Sequence, residues 1–205
     1  RDRELKMMLG GIAHEVRNPL GGMKLFVGLL KEDLADHPEE SALLARVQTE
    51  LDTLGRIVEE FLDFARQRPP VRAAVNLDAL AAEVDGMLPI SVAGTNLGDL
   101  PIDRDLFRQV LLNMARNAHQ AGAETLTISR RGDGLWIADD GPGVPAESAE
   151  QIFDAFYSGR EKGTGLGLAL CKRIIEAHGG DLRLTNPGAP GAVFELTLDQ
   201  SSPSA

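Results

Sequence analysis

From Leu5 to Leu34 the apolar residues Leu5, Leu9, Ile12, Val16, Leu20, Met23, Val27, Leu30 and Leu34 stand three or four positions apart. That spacing fits a long amphipathic helix with a single apolar stripe. No capping residue precedes the pattern, so the helix is expected to begin before residue 1 and the chain to be part of a larger protein. Asp36-His-Pro-Glu-Glu-Ser41 interrupts it. Ser41 then reads as the cap of a second helix whose stripe is Leu44, Val47, Leu51, Leu54, Val58, Phe61 and Ala65. A short connection makes the two helices antiparallel. Two seams of this length are more than two helices can enclose, which predicts a homodimer closed as a four-helix bundle.

Pro69-Pro70 ends the second helix, because consecutive prolines remove backbone donors and crowd the preceding turn. The expected boundary separates a helical hairpin, 1–68, from a second domain, 69–200, with 201–205 a disordered tail rich in serine. Beyond the boundary, helix and strand alternate. The patterns predict a helix from about Asn76, a weak strand near Ile90 and a helix over Asp103–Ala121. Strands over 125–130 and 135–138, a helix over 166–177 and strands over 182–185 and 193–198 complete an α/β sandwich. Neither half is basic: 10 Lys and Arg face 13 Asp and Glu in residues 1–68, and 11 face 18 in the rest. With a net charge of −10, one Trp and one Tyr, the chain is expected to bind no nucleic acid and to make no direct membrane contact. One cysteine, Cys171, excludes an intramolecular disulfide and a multi-cysteine metal site, and fits a reducing, cytoplasmic compartment. Cys171 reads as a small core residue, and His37, His119 and His178 show no partners that would make a site.

On the first helix His14 falls off the seam, beside Glu15 and one turn before Asn18. Pro19, inside the helix, disturbs the local geometry just after it. An unprotonated imidazole nitrogen can accept a phosphoryl group while an adjacent carboxylate takes the proton on the other nitrogen. A solvated surface histidine is the plainer alternative. A zinc-protease reading fails, since the second histidine it needs would stand at Asn18.

The second half carries three further groups of residues. Asn113 and Asn117 share a helix face and can offer amide oxygens to Mg²⁺ and donors to phosphate. Asp139-Asp-Gly-Pro-Gly143 follows an apolar strand, with a carboxylate placed to accept from an exocyclic amine and Gly141 and Gly143 allowing close backbone approach. Gly163-Thr-Gly-Leu-Gly167 runs into a helix, where backbone N–H groups can meet a phosphate. Each alone also has an ordinary structural reading.

His14-Glu-Val-Arg-Asn-Pro-Leu20 resembles the H box of the sensor histidine kinases of two-component systems, and the later pieces, in order, resemble the N, G1, F and G2 boxes of the GHKL ATP-binding fold. The resemblance implies ATP and Mg²⁺, with Asn117 on the metal, Asn113 supporting phosphate and metal, and Asp139 on the adenine amino group. Gly141, Gly143, Gly163, Thr164, Gly165, Leu166 and Gly167 would shape the pocket and lid. Arg160, at a position where many relatives have lysine, would reach the terminal phosphate, or be a solvated loop charge. Ile152-Phe-Asp-Ala-Phe-Tyr157 matches the F box, its aromatics either packing or touching ligand. Residues 72–103 depart from the pattern, being shorter than its first helix and strand require. Where GHKL ATPases carry a water-activating glutamate, this chain has Asn113, which favours a histidine nucleophile over hydrolysis. The implied activity is autophosphorylation of His14, transfer to a response-regulator receiver domain, and dephosphorylation of that regulator through Asn18. A GHKL ATPase of the gyrase, chaperone or mismatch-repair type and a non-catalytic dimeric scaffold are the alternatives. The resemblance leaves open whether the full-length protein is anchored in a membrane upstream.

Overall fold

The computed structural model describes residues 2–65, 68–159 and 163–199, with side chains described from Val16 onward, Arg17 and Ala65 apart. Arg160 and the 201–205 tail lie outside the described residues. The chain divides into two compact units, Arg1–Arg68 and Pro69–Ala205.

The first unit is a hairpin of α1, Asp2–Asp33, and α2, Pro38–Ala65. Helix α1 runs through Pro19 without interruption. Helix α2 begins three residues earlier than the expected Ser41 cap. The Ser41 N–H donates to the His37 carbonyl at 2.9 Å, which puts Ser41 inside the first turn. Pro38 is the reason: at the first helical position its missing N–H would have had no acceptor in any case, and its fixed φ suits the helix. Glu39 and Glu40 add negative charge at the positive end of the helix. Val27 and Leu51 are buried, and Lys24 Nζ reaches Asp52 Oδ1 at 2.7 Å. Gly55 leaves room for that lysine, since a Cβ there would stand 3.2 Å from Nζ. Other seam residues stay open: Met23, Leu30, Val47 and Leu54 are 41–50% exposed in the single chain.

The second unit opens with β1, Ala73–Asn76, α3, Leu77–Val84, β2, Ser91–Gly94, and β3, Asp99–Ile102. It continues through α4, Arg104–Gln120, β4, Thr125–Arg131, β5, Gly134–Asp139, α5, Gly167–Ala177, β6, Asp181–Leu184, and β7, Val193–Thr197. The five-stranded sheet has the order β2-β4-β5-β7-β6, with β2 parallel to β4 and the other neighbours antiparallel. β1 and β3 form a separate antiparallel pair. The 72–103 stretch is therefore not depleted: it holds a helix and three strands, two of them unforeseen. Along β4, Leu126 and Ile128 are buried while Thr125 and Thr127 are exposed, so one sheet face is covered and the other is open. Phe107, Val110, Leu111 and Met114 of α4 and Leu170, Ile174 and Ile175 of α5 supply the helical side of the core. Cys171 joins them, and burial pushes its thiol up to about 12. An inert structural thiol results.

His178, at the end of α5, is 1% exposed and held by backbone groups, a structural role and not a site. Its Nε2 accepts the Asp103 N–H at 3.0 Å and its Nδ1 lies 2.7 Å from the Ile174 carbonyl, so the proton sits on Nδ1. Asp103 caps α4 by accepting the Leu106 N–H, and its other oxygen accepts the Val71 N–H at 2.8 Å.

Candidate nucleotide-binding site

Helix α4 fixes the two asparagines. Asn113 is 7% exposed and Asn117 half-buried, one turn apart. Across from them α5 starts at Gly167, where a Cβ would stand 3.3 Å from Asn117 Nδ2 and 3.5 Å from Oδ1. The missing side chain is what lets the amide meet the first turn of α5. Asn117 thus lies beside a helix N-terminus, where partial positive charge and unpaired N–H groups favour an anion, with Asn113 one turn earlier on α4.

Strand β5 ends at Asp139. Its Oδ1 accepts two amides, from Gly141 at 3.0 Å and from Ala192 at 3.1 Å. Among the described residues no hydrogen bond reaches Oδ2. The carboxylate is held by one oxygen with the other left for a donor, and it is half-buried. Asp140 turns away from it. Its Oδ1 accepts the Glu124 and Thr125 amides at 2.8 and 2.9 Å, and the Thr125 amide above all holds this carboxyl below the usual value. Sequence reasoning had passed over Asp140, which ties the Gly-Pro-Gly loop to the start of β4.

The loop glycines are required by close approach. Gly143 has φ +83° and a Cβ there would lie 1.9 Å from the Ala189 carbonyl oxygen. Gly165 has φ +67° and a Cβ would lie 2.4 Å from the Tyr157 carbonyl oxygen. The Phe156 N–H donates to the Gly165 carbonyl at 3.0 Å, tying the aromatic segment to the Gly163–Gly167 loop. Phe153 packs edge-on against Phe194 at 6.4 Å, and Tyr157 OH donates to Ser148 Oγ at 2.8 Å, so both are packing residues. Phe156 differs: it is 65% exposed with φ +70°. Thr164 Oγ1 accepts the Leu166 N–H at 3.3 Å, and Leu166 is buried beneath the loop with Gly163 half-buried beside it.

In the first unit His14 and Glu15 lie within α1, their side chains outside the described residues, and Asn18 is exposed. Arg160 precedes Gly163 and is likewise outside them.

Residues 102–202 match the family model described as histidine kinase-, DNA gyrase B- and HSP90-like ATPase, which by itself spans kinases and hydrolases. Residues 4–70 match the His Kinase A (phospho-acceptor) domain, a unit that embraces His14. The chain belongs to the sensor histidine kinases. Among curated relatives of this family it is 35% identical to the signal transduction histidine-protein kinase AtoS of Escherichia coli (strain K12), over 93% of this chain and 34% of AtoS. It is 34% identical to the sensory histidine kinase/phosphatase NtrB of Rhodobacter capsulatus, over 91% of this chain and 60% of NtrB. The chain thus spans between about a third and three-fifths of these relatives' length. Among solved structures it is similar to full-length ShkA in complex with AMPPNP, with TM-score 0.78, 27% identity, and coverage of 98% of this chain and 47% of ShkA. It is also similar to the histidine kinase ThkA in complex with the response regulator protein TrrA, with TM-score 0.64, 26% identity, and coverage of 98% of this chain and 64% of that one. As in this family generally, the second unit has the GHKL fold. Among the described residues, no helix is long and apolar enough to cross a membrane.

Proposed function

We propose that this chain is the catalytic part of a sensor kinase that transfers the γ-phosphoryl group of ATP to His14 and then to an aspartate on a response-regulator receiver domain. The observation that carries the reading is the phospho-acceptor unit over residues 4–70, joined to a GHKL unit whose Asn113 replaces the water-activating base of the hydrolases. The nucleotide complex of ShkA and the regulator complex of ThkA support it. Residues 1–68 serve dimerisation and phosphotransfer, and residues 69–200 bind ATP.

In this reading Asp139 Oδ2 accepts from the adenine amino group, while Gly141 and Gly143 admit the base to the backbone. The amide N–H groups of Gly163–Gly167 and the start of α5 receive the phosphates. Asn117 and Asn113 offer neutral amide oxygens, a hard donor set that suits Mg²⁺ with its retained waters, and Arg160 is assigned to the terminal phosphate. When bound, Mg²⁺ neutralises phosphate charge. The unprotonated His14 nitrogen forms a bond to the γ-phosphorus as the bond to the bridging oxygen breaks, and that electron pair leaves with ADP. Glu15 holds the proton on the other ring nitrogen and fixes the tautomer. The chain's contribution is positioning and charge stabilisation. The regulator's aspartate then takes the phosphoryl group and frees His14. The half-exposed seam of α1 and α2 is covered by a second copy, giving a homodimer. The proposed use of ATP supports a cytoplasmic location for this part of the protein.

Asn18 shares the His14 face and orients a water toward the phosphorylated regulator, its amide both accepting and donating. NtrB, whose name includes phosphatase, supports this second activity. The test uses the whole chain with a receiver domain that accepts phosphoryl from it. Asn18→Ala should keep His14 labelling and lose dephosphorylation, and His14→Ala should do the reverse. Loss of both activities in Asn18→Ala, with lowered helicity, would make Asn18 structural.

A further inference from the structure

The turn between β6 and β7, Asn186-Pro-Gly-Ala-Pro-Gly-Ala192, belongs to none of the boxes described above, yet it supplies half of the support under Asp139. We infer that Asn186 is a positioning residue for nucleobase recognition: it sets the peptide plane whose N–H locks Asp139 into the rotamer that presents Oδ2. The inference rests on the proposed role of Asp139 toward the adenine amino group.

Asn186 Nδ2 donates to the Gly191 carbonyl at 2.6 Å, and Asn186 Oδ1 accepts the Val193 N–H at 2.8 Å. One side-chain amide therefore grips the chain on both sides of Ala192. The Gly191 carbonyl and the Ala192 N–H belong to the same peptide unit, which is planar and trans, so they point in opposite directions. Fixing the carbonyl toward Asn186 aims the N–H the other way, at Asp139 Oδ1, 3.1 Å distant. The Asp139 backbone is held by the same turn, its N–H donating to the Ala192 carbonyl at 3.0 Å. The Gly191 N–H donates to the Gly141 carbonyl at 2.8 Å, and the Gly188 N–H to the Val144 carbonyl at 2.7 Å, so the turn also lines the back of the Gly141–Val144 loop. Gly191 has φ +72°, and a Cβ there would lie 2.6 Å from the Asp139 carbonyl oxygen. The approach leaves no room for a side chain.

Two amides on one carboxylate oxygen leave the other oxygen as the acceptor for ligand. Without the Ala192 donor, Asp139 is free to rotate and to offer either oxygen to solvent. The loss should then fall on discrimination at the six-position of the purine and less on the affinity shared by all nucleoside triphosphates.

The measurement is the dissociation constant of the full chain for ATP and for inosine triphosphate, in which a carbonyl replaces the amino group. A hydrogen bond to a charged group changes affinity by about tenfold or more, so wild type should favour ATP by that order. Asn186→Ala and Asn186→Asp should both lose most of this preference. The second keeps an acceptor for Val193 while removing the donor to Gly191, and it carries the test if the first does not fold. Thr185→Val removes a different hydrogen bond of the same turn, from Thr185 Oγ1 to the Val193 carbonyl, and should keep the preference. A full preference in folded Asn186→Asp would overturn the inference and leave Asp139's role standing. No preference in wild type would overturn both, and loss of preference in Thr185→Val as well would reduce Asn186 to general support of the turn.

Discussion

His178 Nε2 accepts the Asp103 N–H across 3.0 Å and so joins the C-terminal end of α5 to the residue that caps α4. These are the helices that carry Asn113 and Asn117 on one side and Gly167 on the other. The contact lies at the far end of α5 from the loop glycines, so it sets how α5 leans on α4.

Replacing His178 with alanine leaves the buried Asp103 N–H without its acceptor. An unpaired buried donor costs about 1–3 kcal/mol. Urea unfolding of the full chain should show a loss of that size in the second unit, while Cys171, in the same core, should become accessible to a thiol reagent at lower denaturant. An unchanged midpoint would show that water replaces the imidazole without cost.

Asp140 predicts the acid limb of stability. The Thr125 and Glu124 amides that donate to its carboxylate lower its pKa in the folded state below the ordinary 3.8. A group lowered on folding contributes stability fully above its unfolded value and loses it as pH falls through the folded one. Wild type should therefore lose stability below about pH 4, and Asp140→Asn should flatten that part of the curve. Asp78, lowered chiefly by the Leu97 amide, adds to the same limb. Parallel curves for wild type and Asp140→Asn would remove Asp140 from the account.

Gly165 and Gly159 separate by geometry. At Gly165 an added Cβ meets Tyr157 and Phe156 backbone at 2.4–2.6 Å with φ +67°, whereas at Gly159 no atom of the described residues lies within 4 Å. Gly165→Ala should push the Gly163–Gly167 loop off the aromatic segment and weaken ATP binding by at least tenfold, and Gly159→Ala should bind as wild type does. Calorimetry on the two variants decides it.

Much of this was legible in the sequence, for reasons that can be named. The long helices and β4, β5 and β7 show sustained periods, and Gly143 and Gly165 stand where only glycine fits. β1 and β3 were not legible, because Ala73–Asn76 and Asp99–Ile102 are four residues each, one contains Pro101, and they pair only with each other across α3 and β2. The start of α2 was misread because Pro38 reads as a breaker until it is seen at the first helical position. His178 depends on the meeting of residues 75 positions apart, which no local pattern carries. Gly191 marks the turn before β7 in the sequence, but the two hydrogen bonds of the Asn186 side chain to Gly191 and Val193 leave no local pattern.

Labelling of the full chain from γ-labelled ATP with Mg²⁺ tests whether His14 is the phosphoryl acceptor. The product should be lost in acid and survive base, as a phosphoramidate does once its nitrogen is protonated. The His14→Gln variant should take up no label while binding ATP as tightly as wild type, because its nucleotide residues are untouched. Full labelling of His14→Gln, or a label stable in acid, would contradict the account.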